Sequence, residues 1–115
     1  MAKGTTTEAV FQHHMQAMMS NNFDEVCKDY CEDSMLLLPT GTFKGLEGIK
    51  AGFAEVGKTL TPEVAANFKL TKQEIHGDYV YINWTALPAF PVGGDTFHIH
   101  DGKIMMQSVI YQPSR

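Results

Sequence analysis

The sequence predicts an α+β fold in which helices pack on one curved antiparallel sheet. Three observations carry this. The stretch from Asn22 to Phe53 reads as a short helix, a buried strand ended by a proline, a glycine-punctuated turn and a second amphipathic helix. After Pro62 helical periodicity gives way to β-prone segments. Three turn signals then divide the remainder into an antiparallel meander. At 115 residues the chain reads as one domain, 1–115, able to bury about two-thirds of the surface its unfolded form exposes.

The first helix is expected to start near Thr5, where Thr5 and Glu8 have capping-box spacing. Phe11, Met15 and Met18 recur at helical spacing, with Val10 and His14 beside them. Asn21-Asn22 closes that helix, since Asn tolerates the left-handed conformation. Asn22 and Glu25 repeat the capping pattern for a second helix. Its apolar stripe is Phe23, Val26, Cys27 and Tyr30. Met35 to Leu38 is too short for a helix, is continuously apolar and ends at Pro39, as a strand buried on both faces does. Thr40-Gly41-Thr42 is read as a turn. Leu46, Ile49, Phe53, Val56 and Leu60 mark a third helix. Gly48, Gly52 and Gly57 weaken it by up to about 1 kcal/mol each, which points to close packing against the sheet. Thr61-Pro62 ends it. Strands are expected at about 64–76, 78–88, 94–100 and 103–111, separated by His76-Gly77-Asp78, Pro91-Val92-Gly93-Gly94 and Asp101-Gly102. The last pair is a two-residue hairpin signal, because a type I′ turn needs positive φ at both positions.

Composition narrows the function classes. A hydrophobic fraction of 43% and a net charge of −4 are those of an ordinary globular protein with a mildly acidic surface. Phosphate-backbone binding needs clustered basic residues. The nine here are scattered, so no nucleic-acid partner is expected. No apolar stretch approaches the 20 or so residues of a membrane span, and the N-terminus lacks the apolar core of a secretory signal. The expected location is the cytoplasm, with no membrane partner. Cys27 and Cys31, four apart on a helix, would place their Cβ atoms about 5–6 Å apart, beyond disulfide reach. Two buried thiols are expected. No second Cys pair accompanies them to make a metal site. The chain has no G-x-S-x-G, no phosphate-binding glycine loop and no dinucleotide fingerprint, so no cofactor is expected.

Several loose motifs occur in order along the chain: Phe23-Asp24, Tyr30-Cys31-Glu32-Asp33, Phe43-Lys44-Gly45 with Gly48-Ile49 and Phe53, and Asp101-Gly102-Lys103-Ile104. In these the chain resembles the nuclear transport factor 2-like superfamily, closest to its SnoaL-like and ketosteroid-isomerase-like branch. The resemblance covers almost the whole chain. It implies a cone: a highly curved sheet wrapped by three N-terminal helices (a cystatin-like roll) around an apolar pocket. It also implies homodimers formed through the outer face of the sheet. Members include isomerases, polyketide cyclases, dehydratases, epoxide hydrolases and non-catalytic binding modules, so the fold alone does not fix a function.

The same resemblance sorts the candidate residues. Ketosteroid isomerases carry a carboxylate base just before the proline that ends the first strand. Leu38 stands there, which argues against the same enolisation and leaves pocket wall or core. Their oxyanion hole uses a helix-one tyrosine and a protonated aspartate on the penultimate strand. Those positions fall on His14 and Asp95. Either the two are an acid–base pair in the pocket, with a histidine titrating near neutrality, or His14 is a half-buried helix residue and Asp95 a turn residue after Gly93-Gly94. His13 points about 100° away from His14 and is expected to face solvent.

Alternation on the strands supplies the rest. Val80, Ile82 and Trp84 share one face, opposite Tyr79, Tyr81 and Asn83. If Asp95, Phe97 and Ile99 face the pocket, His98 and His100 face outward, onto the sheet surface or a dimer interface. A metal on those two would need a third ligand from His76, Asp78 or Asp101, and no metal site is expected. Trp84 is a stacking wall for a flat apolar ligand or plain core. Gln107 and Tyr111 share a face and can place hydrogen-bonding groups in an apolar cavity. The expected ligand-binding residues are Met18, Tyr30, Leu38, Phe53, Trp84, Phe97, Gln107 and Tyr111. Met18-Met19, Met105-Met106, Met15 and Met35 suit a pliable apolar wall. Two functions of different class follow. One is a cofactor-independent isomerase, cyclase, dehydratase or hydrolase using His14 and Asp95. The other is a non-catalytic module for ligand binding or dimerisation.

Overall fold

The computed structural model describes residues 6–113. Helix α1 spans Thr7–Met19 and is capped by Thr6, whose Oγ1 accepts the Ala9 N–H at 3.1 Å. The cap falls one residue later than expected, and Thr5 lies outside the described residues. Asn21 adopts φ 55° and ends the helix, as its side chain permits. Helix α2 is a single turn, Phe23–Cys27, capped by the Asn22 side chain on the Glu25 N–H at 3.2 Å. Because α2 stops at Cys27, Cys31 is not on the same helix. Both thiols are free and only half-buried, where two buried thiols on one helix had been expected.

Strand β1, Met35–Leu38, forms a tight hairpin with β2, Gly41–Lys44. The expected turn at Thr40-Gly41-Thr42 is thus mostly strand, with Pro39 and Thr40 as the turn itself. Helix α3, Gly45–Thr59, lies against this hairpin. A Cβ on Gly52 would stand 2.8 Å from Leu36 Cδ2 and 3.1 Å from the Phe43 ring. Only glycine allows that approach. Thr61 then caps a further short helix, α4 (Pro62–Ala66), with proline in its first turn. The expected strand at 64–76 therefore begins only at Phe68. Thr61-Pro62, read as a helix breaker, also has the signature of a helix start.

The sheet is completed by β3 (Phe68–His76), β4 (Tyr79–Ala86), β5 (Phe90–His100) and β6 (Lys103–Gln112). Its order is β2-β1-β6-β5-β4-β3, a curved, unclosed, six-stranded sheet. The β3–β6 meander is antiparallel, but β1 runs parallel to β6, so the sheet is mixed. Asp101 and Gly102 take φ 51° and 77° and form the expected hairpin turn. Pro91-Val92-Gly93-Gly94, expected as a turn, lies inside β5. The chain turns instead at Leu87 to Ala89, with a cis Leu87–Pro88 bond. A Cβ on Gly93 would fall 2.3 Å from the Trp84 ring across the β4–β5 pair. The glycine admits a large side chain from the neighbouring strand, with no turn there.

One face of the sheet carries Val80, Ile82, Trp84, Asp95, Phe97 and Ile99, all buried, on the side where α1 packs on β4 and β5. The other leaves Tyr79, Tyr81, Val92 and Ile110 exposed. The faces of β4 and β5 are those that alternation predicted.

Candidate functional site

A cavity opens between α1, the end of α3, α4 and the inner face of the sheet. Its volume is about 70 Å³, which is room for about five waters. Met15, Met18 and Met19 from α1 form one wall. Phe53, Val56 and Leu60 from α3, with Val64 from α4, form the next. Phe68, Trp84, Phe90 and Tyr111 supply an aromatic side. Phe68 stacks on Trp84 with centroids 5.2 Å apart, and Phe90 meets Tyr111 edge-on at 5.2 Å. Such contacts hold the rings in place around the space they enclose.

Among the polar side chains that interrupt this apolar lining, three are buried: His14, Asp95 and Gln107. Asp95 is buried and held by two neutral donors. Trp84 Nε1 donates to Oδ1 at 2.9 Å, and Gln107 Nε2 donates to Oδ2 at 2.9 Å. Behind Gln107, the buried Tyr30 hydroxyl donates to the amide oxygen. Burial pushes the Asp95 carboxyl up to about 6, against the partial opposition of the Trp84 and Gln107 hydrogen bonds. Burial also lifts the Tyr30 phenol well above its usual range, with the Asp95 charge adding to the effect. Tyr30 is therefore a fixed donor.

His14 is fully enclosed among the rings of Phe97, Tyr30 and Phe53, with centroids 5.1, 6.2 and 6.3 Å away. Its Nδ1 is buried without a hydrogen-bond partner among the described residues. Burial, assisted by the neighbouring His13 charge, pushes the imidazole down to about 3. The histidine titrating near neutrality that the sequence suggested is thus neutral throughout the physiological range. The group nearest neutrality is the carboxylate.

Of the expected residues, His14, Asp95, Met18, Phe53, Trp84, Gln107 and Tyr111 line one cavity. Tyr30, Leu38 and Phe97 do not reach it. Tyr30 acts from behind Gln107, Phe97 packs under His14, and Leu38 is partly buried against the core. Phe68, Phe90 and Val64 went unnoticed in the sequence. Strict alternation back from Asp95 through Gly93 would put Phe90 on the outer face; it turns inward because the β4–β5 register shifts between Trp84 and Ala86.

The remaining histidines sit elsewhere. His13 keeps about a third of its side chain exposed, and it is also clamped between Asp29 (Nδ1–Oδ2, 2.7 Å) and Glu25 (Nε2–Oε2, 2.8 Å). The Asp29 and then the Glu25 hydrogen bond raise its pKa. His98 stacks on Tyr79 on the outer face, with centroids 4.8 Å apart. His100 lies near Asp78 (3.1 Å) and Asp101 (3.4 Å). Among the described residues no cluster of three or more His, Cys, Asp or Glu is arranged to hold a metal.

No protein-family model and no curated protein matches the chain. Solved structures do match. An NTF2-like protein of Cytophaga hutchinsonii, 18% identical, superposes with a TM-score of 0.69 over 97% of this chain and 95% of that one. A SnoaL-like protein of Burkholderia thailandensis, 16% identical, gives 0.73 over 92% and 94%. The fold is that of the NTF2-like and SnoaL-like proteins. TerC, crystallised with polyporic acid, gives 0.66 at 17% identity over 94% and 92%. In this NTF2-like, SnoaL-like fold the cavity lies between the helices and the concave sheet face, and β1 contributes no carboxylate to it. No helix among the described residues is long and apolar enough to cross a membrane.

Proposed function

We propose that the cavity binds a small, largely apolar organic molecule, and that the protein is a cofactor-independent enzyme of proton transfer. The reaction class is isomerisation, cyclisation, dehydration or hydrolysis. One observation carries this reading. A buried carboxylate poised near pH 6 and an unpartnered neutral imidazole line the same apolar cavity. A general acid or base works best when its pKa lies near the working pH, and Asp95 meets that condition. His14, neutral, serves as a hydrogen-bonding partner for the ligand. Gln107 and Trp84 position the carboxylate, and the methionine and aromatic walls exclude water.

The test is a panel of one- and two-ring alcohols, ketones, epoxides and amines, screened by saturation-transfer NMR and then followed for chemical change. Turnover of a bound compound that falls by about a hundredfold or more in Asp95→Asn, with binding retained, supports the enzyme. Binding without turnover of any hit favours the non-catalytic module of the same fold.

The exposed outer sheet face suggests a homodimer as well. Tyr79, Val92 and Ile110 are 53%, 58% and 70% exposed there. Apolar surface of that kind is usually covered by a partner. Sedimentation at micromolar concentration giving twice the monomer mass is the expected result, and a monomer mass removes the proposal.

A further inference from the structure

The charge balance of the cavity is unusual. Asp95 is the one carboxylate among the described residues lining it, and none of those lining residues is Lys or Arg. The donors that reach its oxygens, Trp84 Nε1 and Gln107 Nε2, are both neutral. A carboxylate has about four lone-pair sites and these two bonds use two of them. Near pH 7 the ionised form of a group titrating near 6 predominates by roughly ten to one. The cavity therefore holds a buried negative charge with no counter-charge. Leaving one member of a buried ion pair without the other is strongly unfavourable. A ligand that supplies the missing cation reverses that situation, because folding has already stripped Asp95 of its water.

The surrounding groups favour the same partner. Trp84, Phe90 and Tyr111 present ring surfaces around the cavity. Aromatic faces attract ammonium groups, the more so when water is excluded. His14 offers a neutral ring, which sets no competing positive charge beside the ligand. An anionic ligand would meet Asp95 with no basic residue to offset it.

We infer that the cavity selects a small ring-bearing amine in its protonated form, with Asp95 as its counter-ion and the Trp84, Phe90 and Tyr111 rings as its cage. This rests on the reading of the cavity as a site for small organic molecules and narrows it to a charge class. The amine's hydrocarbon ring occupies the methionine wall, and its nitrogen turns toward β5.

The titratable groups facing Asp95 are His14 from α1, Tyr30 from the segment after α2, acting through Gln107, and Tyr111 from β6. Burial keeps His14 uncharged down to about 3 and Tyr30 uncharged well above its usual range. A change in cation preference near pH 6 therefore reports on Asp95.

Trp84 is the only tryptophan and donates to Asp95, so its fluorescence is a reporter placed at the site. The test compares benzylamine with benzyl alcohol, its neutral counterpart of equal size, and with benzoate. At about pH 7.5 benzylamine should bind at least about tenfold tighter than benzyl alcohol, a difference of about 1.4 kcal/mol, and benzoate should not bind. The preference should shrink as pH falls through about 6 and disappear in Asp95→Asn. The wild-type pH titration stands by itself should that variant fold poorly. If benzyl alcohol binds as well as benzylamine, the cation inference is overturned and the small-molecule cavity stands. If the preference is unchanged below pH 5 or survives in Asp95→Asn, Asp95 is not the counter-ion and the inference fails. If none of the three binds, both readings fall.

Discussion

Gln107 turns its amide N–H, and not its carbonyl, toward Asp95. Nε2 lies 2.9 Å from Oδ2, while the carbonyl oxygen is taken by the Tyr30 hydroxyl on the other side. A primary amide can present either end to a neighbour. Here the two neighbours agree: the ionised carboxylate can only accept, and the Tyr30 hydroxyl donates to the carbonyl oxygen. The carboxylate is thus positioned by a relay that begins outside the cavity, at a residue that does not line it.

Tyr30→Phe removes the donor that fixes the amide. The Gln107 oxygen is then a buried acceptor without a partner, which costs about 1–3 kcal/mol. Denaturant unfolding should show that loss. The amide, no longer pinned from behind, holds its N–H on Asp95 less firmly, so the carboxyl should titrate above its present value of about 6. Carbon-13 NMR of the aspartate carboxyls reads the shift, and an unchanged Asp95 titration would break the relay argument.

Gly93→Ala places a methyl group 2.3–2.5 Å from three atoms of the Trp84 indole. Something must move, and the ring is the part not tied into the β4–β5 ladder. Overpacking of this kind costs about 1–3 kcal/mol. Displacing the indole also breaks its bond to Asp95, so the near-ultraviolet circular dichroism and the emission maximum of the single tryptophan should both change. Gly94→Ala is the control. There a Cβ would meet the Asn83 amide nitrogen at 3.2 Å and no aromatic ring, so the Trp84 signals should stay as they are.

His14 and Asp95 pull the pH dependence of stability in opposite directions. His14 titrates at about 3 folded against 6.5 for the ordinary side chain. As pH falls below 6.5 the unfolded chain takes up a proton that the folded one refuses, and stability is lost by up to roughly 5 kcal/mol. Asp95 titrates at about 6 folded against 3.8. As pH rises from about 4 through 6 the unfolded chain releases its proton first, and up to about 3 kcal/mol is lost. His14→Leu keeps an apolar side chain of similar size in the ring cage and removes the unpartnered nitrogen. It should raise stability at neutral pH by about 1–3 kcal/mol and flatten the acid limb of the stability curve. Unfolding free energies at a series of pH values decide it. A variant with the wild-type acid limb would show that His14 is not the group responsible.

The parts of this molecule that were legible in the sequence are those written in local pattern. The faces of β4 and β5 followed from alternation. Asp101-Gly102 followed from its need for positive φ, and α3 from its apolar stripe. The parts that were not legible depend on neighbours distant in the chain. Gly93-Gly94 has the composition of a turn, and only the Trp84 ring on the adjacent strand explains a glycine within β5. Thr61-Pro62 fits a helix end and a helix start equally well. His14 and Asp95 were placed by resemblance. Their roles could not be, because the titration of each depends on burial that the sequence does not record. The clamp on His13 was not legible because its two carboxylate partners come from α2 and the loop beyond it.

That clamp on His13 gives the last prediction, and its sign is opposite to that of the residue beside it. Asp29 and Glu25 face the two ring nitrogens at 2.7 and 2.8 Å, so the imidazole must carry both protons to satisfy both carboxylates. Its folded pKa is raised above 6.5 by the Asp29 and then the Glu25 hydrogen bond. The stabilisation is therefore fully present below about pH 6.5, while the carboxylates remain ionised, and is lost as pH rises through the raised value. His13→Ala should lower the melting temperature most near pH 6, with the difference from wild type shrinking toward about pH 9. A proton NMR titration of the His13 ring should give a midpoint above the usual histidine value, and that midpoint should fall in Asp29→Asn. A melting difference of the same size at both ends of the range would mean that His13 contributes packing alone. His13 joins α1 to α2 one residue from His14. Loosening it at high pH should therefore also raise amide hydrogen exchange along α1 near the cavity wall.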